Sequence, residues 1–187
     1  MSLTKLLVPT YTQMLGTIDG LLAKAQREMP ERAESLPSAR LAPNILPLAS
    51  QVRLAACQVH EAMYKLSGFH RPRDLDDLLA EAYACGEAPG SLADARKRMD
   101  EALVELTGLD FDSFDISAPL PVEIELPGGI VYEMTGAEYV RDWALPQFYY
   151  HVITAYSILR SQGVEIREAD FMRDMAAYIR RGSRPEG

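Results

Sequence analysis

The sequence predicts an all-α protein, an antiparallel four-helix bundle with a small β-hairpin before the last long helix. Four long segments repeat apolar residues at spacings of three and four, which is the periodicity of a buried helix face. Only one pair of short segments alternates apolar and polar residues, and no strand–helix–strand rhythm indicates a parallel sheet. We therefore predict a single helical domain over residues 1–180, followed by a polar tail at 181–187.

The first two helices are predicted over residues 2–29 and 48–66, the second ended by Gly68. In the first helix, Gly16 and Gly20 have the GxxxG spacing, which predicts a close crossing with another helix. These two segments supply half of the predicted bundle.

A short helix is predicted over residues 75–84, and the third long helix follows it. Ser91 can cap the free amides at its start, with Asp94 at the position of a capping box, and Gly108 ends it. The apolar stripe between them predicts one buried face.

The hairpin is predicted from the alternating segments 122–126 and 130–134, which are joined by Pro-Gly-Gly. The fourth long helix should run over residues 135–162, with a kink at Pro146 because proline lacks the amide N–H. A last helix is predicted over residues 168–180.

The composition excludes several classes of partner. The chain has 27 acidic and 19 basic residues, a formal charge of -8, so we expect no nucleic-acid partner. The longest run without a charged residue, 143–159, is too short and polar for a membrane span, and no signal peptide is recognised. We expect a cytoplasmic protein whose two cysteines, Cys57 and Cys85, remain thiols.

His151 is the main candidate for a functional residue. It lies in the middle of LPQFYYHVITAYSILR, and Gln147 and Thr154 share its face of the predicted helix. Small and polar residues on one face would suit the floor of a ligand pocket. The alternative is a core histidine that is hydrogen-bonded to Gln147 or to a neighbouring helix.

The sequence predicts no metal site and no cofactor. The three histidines, His60, His70 and His151, form no HxxxH, HExxH or ExxH pair, although a site built from His60, His151 and a carboxylate stays open. No P-loop, GxGxxG or GxSxG motif is present. On the predicted second helix, Gln51 and His60 flank the apolar stripe on opposite sides, so either could reach a neighbour across the core.

Two segments carry a resemblance to a known family: ARLAPNILPLASQVRLA at 39–55 and TGAEYVRDWALPQFYYHVITAYSILRSQGVEI at 135–166. They resemble the bacterial domain-of-unknown-function family nineteen-ninety-three, which is similar to the DinB and YfiT superfamily of four-helix metalloenzymes. The resemblance implies an antiparallel bundle that forms a homodimer. It also implies metal ligands at three positions, which here are Gln51, His151 and Ala155, so that only one of the three is histidine.

We therefore expect a degenerate metal site that binds a small organic molecule in a central cavity through Gln51, Gln147, His151 and Thr154. The resemblance leaves two alternatives open. One is a metal- or thiol-cofactor-dependent transferase or isomerase, in which His151 would act as a general acid or base because its unperturbed pKa lies near neutrality. The other is a non-catalytic dimerising protein.

Overall fold

A computed structural model describes residues 2–67, 73–110, 112–126 and 128–180. Within these ranges the chain is mostly helical and forms one two-stranded antiparallel sheet. The elements in order are α1 (Leu3–Glu28), α2 (Leu48–Ser67), α3 (Arg73–Ala84), α4 (Leu92–Thr107), β1 (Pro121–Leu126), β2 (Ile130–Thr135), α5 (Gly136–Glu138), α6 (Leu145–Ser161) and α7 (Glu168–Phe171). A π-helical segment, Tyr139–Ala144, joins α5 to α6 without a break.

Helix α2 is the centre of the packing. It packs against α3, α4 and α6, while α1 packs against α4 and α6. Leu22 of α1, Val52 of α2 and Phe148 of α6 are completely buried in the resulting core. Each such side chain contributes about 1.5–3 kcal/mol by leaving water, so the long helices are stabilised by their apolar faces rather than by local propensity.

The predicted start of α4 is confirmed. The Ser91 hydroxyl accepts a hydrogen bond from the backbone N–H of Asp94 at 3.1 Å, and the Asp94 carboxylate accepts one from the N–H of Ser91 at 3.1 Å. This reciprocal capping box satisfies two amides that have no partner inside the helix.

The predicted hairpin is present, with Val122 opposite Met134 and Ile124 opposite Tyr132. Its two strands are buried unequally: Val122 and Ile124 lie in the core, whereas Tyr132 and its β2 neighbours Ile130 and Val131 are about half exposed. The hairpin therefore packs on the helices mainly through β1. Pro127 of the predicted turn lies outside the described residues.

The long helix after the hairpin begins at a second capping box, between Thr135 and Glu138. We predicted a kink at Pro146, and the structure has a π-helical segment just before this proline. There the N–H of Leu145 donates to the carbonyl of Val140, five residues back. A wider turn at this point fits a proline that has no N–H to continue the α-helical pattern.

The predicted helix 168–180 is wrong in extent. The structure has the four residues of α7 and then a 3-10 helix, Arg173–Tyr178. Met172 and Met175, part of the stripe that predicted a longer helix, remain about half exposed. Without a core face to bury them, the stripe does not support a regular α-helix here.

The GxxxG spacing of α1 faces the C-terminal helical segment. The guanidinium of Arg173, the first residue of the C-terminal 3-10 helix, lies on this face of α1, and its Nη1 donates to the carbonyl of Gly16 at 2.9 Å. A Cβ added at Gly20 would lie 2.8 Å from the same nitrogen. Gly20 therefore makes room for an arginine of the C-terminal segment.

Replacing Tyr11 by phenylalanine should stabilise the protein. Tyr11 is fully buried against the Phe148 ring, and its hydroxyl has no hydrogen-bond partner among the described residues. A buried hydroxyl without a partner costs about 1 kcal/mol or more, so Tyr11→Phe should raise the free energy of urea unfolding by about 1 kcal/mol. Tyr149→Phe, at a partly buried ring, is the control and should change little; a loss of stability in Tyr11→Phe would contradict the prediction.

Among the described residues, the helices include none that combines the length and the apolarity needed to cross a bilayer.

Candidate functional site

Gln51 and His151 are brought together by the packing of α2 against α6. The Oε1 atom of Gln51 lies 2.8 Å from Nδ1 of His151, a hydrogen bond between residues 100 positions apart in the sequence. Gln51 is 1% exposed and His151 is 8% exposed. The two candidate residues therefore form one buried polar contact in a mostly apolar interface.

The environment of Gln51 determines which nitrogen of His151 carries the proton. The amide Nε2 of Gln51 donates to the carbonyl of Leu46 at 3.1 Å, which turns its Oε1 towards the imidazole. Because Oε1 can only accept, Nδ1 of His151 must be the donor. In the neutral ring Nε2 then keeps its lone pair, and no described residue donates to it.

Burial lowers the pKa of His151 from 6.5 to about 4. The pKa lies below the unperturbed value on which the acid–base alternative depended, because desolvation penalises the imidazolium. His151 is neutral at neutral pH, and a base this weak is poorly matched to proton transfer there.

The other two candidate residues lie one turn away on either side of His151. The Thr154 hydroxyl is buried and donates to the carbonyl of Tyr150 at 2.6 Å. Gln147 is half-buried, and its side chain makes no hydrogen bond within the described ranges. The partner of His151 is thus Gln51 of the neighbouring helix and not Gln147. Four surface clefts of the described chain are lined by residues other than these four candidates.

His60 belongs to a different part of the molecule. It lies nine residues after Gln51, about 13 Å further along α2, and its Nδ1 is 3.1 Å from Oε2 of Glu105 on α4. A cleft of about 260 Å³ opens beside this contact. His60 and His151 therefore do not share the site that the sequence left open, and His70 lies outside the described residues.

The sequence did not reveal the ionic network beside this cleft. Glu81 of α3 bridges Arg53 of α2, at 2.9 Å, and Arg98 of α4. The hydrogen bond from the Arg98 guanidinium lowers the pKa of the Glu81 carboxyl. The partners come from three helices with no shared spacing, so no local motif could have indicated them.

The pH dependence of stability should depend measurably on His151. Its pKa in the fold is below the unfolded value of 6.5, so protonation favours the unfolded chain. The stability that the neutral ring contributes is fully present above pH 6.5 and is lost as the pH falls towards 4, a loss of about 3 kcal/mol. The control variant is His151→Asn, which keeps a donor near the position of Nδ1. In urea unfolding between pH 7 and pH 4, the free energy of unfolding should fall by about 3 kcal/mol more for the wild type than for this variant.

A constant difference between the two proteins over this pH range would contradict the assignment. The comparison with the variant is needed because carboxylates such as Glu81, whose pKa is lowered, also lose stabilising interactions in acid.

Comparison with known proteins places these residues in a family. The family model described as Domain of unknown function (DUF1993) matches residues 3–172. The chain belongs to the DUF1993 family. Among solved structures, this DUF1993 protein is similar to a crystal structure of a DinB family member from Shewanella denitrificans, with 27% identity, a TM-score of 0.72 and coverage of 91% of each chain. A search of curated proteins found no match.

The donor set of this DUF1993 protein does not fit the metal that the DinB-like resemblance implies. Of the three positions concerned, Ala155 has only a buried methyl group, and the Gln51 amide is already bonded to His151 and to Leu46. One imidazole nitrogen remains, whereas zinc requires three or four ligands. Within the described ranges, no group of three or more histidine, cysteine or acidic side chains is arranged to hold a metal ion.

Proposed function

We propose that this DUF1993 protein binds a small organic molecule through Gln51, Gln147, His151 and Thr154, at the degenerate remnant of a metal site. The proposed framework is an antiparallel four-helix bundle of α1, α2, α4 and α6. The observation that carries the proposal is the 2.8 Å contact between Gln51 Oε1 and His151 Nδ1.

The cost of burying this pair supports a role beyond packing. Two apolar side chains at the α2–α6 interface would avoid the desolvation of an amide and an imidazole. The hydrogen bond offsets that cost for Gln51 and for Nδ1, but Nε2 of His151 has no partner among the described residues. This nitrogen is not one of the fully buried polar atoms without a partner, so it keeps contact with solvent, and an incoming ligand would replace water there.

The properties of His151 favour binding over catalysis. A general base must exchange protons near the working pH, whereas burial lowers the pKa of this ring to about 4. The neutral ring is suited to holding a ligand in one orientation. We therefore place ligand binding ahead of the transferase or isomerase alternatives.

A thermal-shift screen of metabolites and thiol cofactors tests the proposal. A ligand that binds only the folded state stabilises it by about 2.7 kcal/mol at a concentration 100 times its Kd, and this raises the melting temperature. His151→Asn should abolish the shift because it retains no counterpart of Nε2. His60→Asn is the matched control. It is the same substitution, made about 13 Å from Gln51 along α2. A hit that is equally strong in all three proteins, or the lack of any hit, would count against the proposal.

We also propose that the protein is a homodimer and that it resides in the reducing cytoplasm. Tyr150 and Ile153, one turn apart on α6, are each 50% exposed, which favours contact with another surface. Cys57 and Cys85 are free and buried, and burial raises the pKa of Cys57 to about 12. Sedimentation analysis should show a dimer that Ile153→Glu dissociates; a monomeric wild type would refute the dimer.

A further inference from the structure

The hydrogen-bond donors of the proposed site are largely used inside the protein. We infer that the ligand of this site presents a hydrogen-bond donor, a hydroxyl or an amine, to Nε2 of His151, and that carboxylates and phosphates are not its ligands. This inference rests on the proposed function and specifies the class of molecule that the site accepts.

The first step is the direction of the Gln51–His151 hydrogen bond. Gln51 Nε2 donates to the Leu46 carbonyl, so Oε1 faces His151 and Nδ1 of the ring must donate to it. A neutral imidazole has one N–H. Nε2 is therefore an acceptor, and a ligand that meets it must supply the proton of the hydrogen bond.

Thr154 likewise offers a hydrogen-bond acceptor and has no free donor. Its single hydroxyl proton is donated to the Tyr150 carbonyl at 2.6 Å, so only the oxygen lone pairs remain for another molecule. The two groups lie one helical turn apart on α6, and both therefore offer acceptors. The Gln147 amide can donate or accept, so the bias towards acceptors rests on His151 and Thr154.

Two arginines on the helices that carry the site are hydrogen-bonded to other groups. On α2, Arg53 donates to Glu81 at 2.9 Å and to the Ala49 carbonyl at 3.2 Å. On α6, Arg160 donates to the Ile166 carbonyl at 2.8 Å. None of the four site residues carries a positive charge at neutral pH, so an anion would lose its hydration without a compensating partner.

The tautomer of His151 is the first test and requires no ligand. In nitrogen-15 NMR of the full-length protein labelled at histidine, the resonance missing from His151→Asn identifies the ring. We expect a protonated Nδ1 and an unprotonated Nε2 at pH 7. A protonated Nε2 would overturn the inference, because the imidazole would then present a donor to the ligand.

The second test compares three probes with the same four-carbon chain: 1-butanol, n-butylamine and butyrate. We expect the alcohol or the amine to shift the His151 Nε2 resonance, with roughly tenfold or greater preference over butyrate. The comparison of the first two distinguishes a neutral hydroxyl from an ammonium group.

The outcomes separate this inference from the proposed function. Preferential binding of butyrate at His151 would overturn the donor requirement and leave small-molecule binding standing. No response at His151 to any of the three probes, together with an empty thermal-shift screen, would refute the proposed function and the inference with it.

Discussion

The double variant Gln51→His, Ala155→His should bind zinc, whereas the wild type should not. Gln51 already lies within hydrogen-bond distance of His151, and residue 155 follows one turn later on the same helix. Two histidines four apart on α6 and a third on α2 would supply three imidazole ligands around one point. We expect stoichiometric zinc by elemental analysis and a rise in melting temperature with zinc, about 2.7 kcal/mol of stabilisation at 100 times the Kd.

The control is the double variant Gln51→His, Thr154→His, in which the new α6 histidine is displaced by one residue, about 100° around the helix. It contains the same number of histidines but should bind zinc much more weakly. Ala155 is 1% exposed, so the larger side chain will destabilise the metal-free protein. Circular dichroism with and without zinc accounts for this effect, because zinc should restore the lost stability. Equal affinity in the two double variants would contradict the assigned geometry.

Gly136→Ala should cause the largest loss of stability of any single change considered. A Cβ at this position would lie 2.1 Å from the Ser117 carbonyl oxygen and 2.8 Å from its carbon. These are backbone atoms, so neither can move away by changing rotamer. Ser117 in turn donates to the Leu66 carbonyl at the end of α2. We expect a loss of about 3 kcal/mol or more in urea unfolding.

Gly16→Ala is the matched control for this substitution. Gly16 lies within α1, and a Cβ there would meet no atom within 4 Å. Alanine should stabilise the helix by about 0.5–1 kcal/mol. If Gly136→Ala proved as stable as the wild type, this would contradict the close contact between Gly136, at the start of α5, and the backbone of Ser117.

Local patterns predicted local structure well. Ser91 and Asp94 indicated the start of α4 because a capping box involves residues three positions apart. The alternation of apolar residues indicated the two strands of the hairpin, and the structure adds their register, in which Val122 pairs with Met134. His151 is buried and hydrogen-bonded to a neighbouring helix, as in the core-histidine alternative that the sequence left open.

Features that depend on distant segments were not predicted from periodicity alone. The pairing of His151 with Gln51 joins positions 100 residues apart, and only the family resemblance had associated them. Arg173 on the GxxxG face of α1 could not be predicted, because small residues do not specify what will pack on them. The low pKa of His151 arises from tertiary burial, which a sequence-based pKa omits.

The π-helical segment determines the directions in which the side chains of α6 point around the helix axis. A π turn holds about one residue more than an α turn, and each residue of an α-helix advances by about 100°. Removing one residue from Tyr139–Ala144 could restore a uniform helix and leave the Thr135 cap in place. The imidazole of His151 would then point about 100° away from Gln51, so a one-residue deletion far from both side chains should separate them.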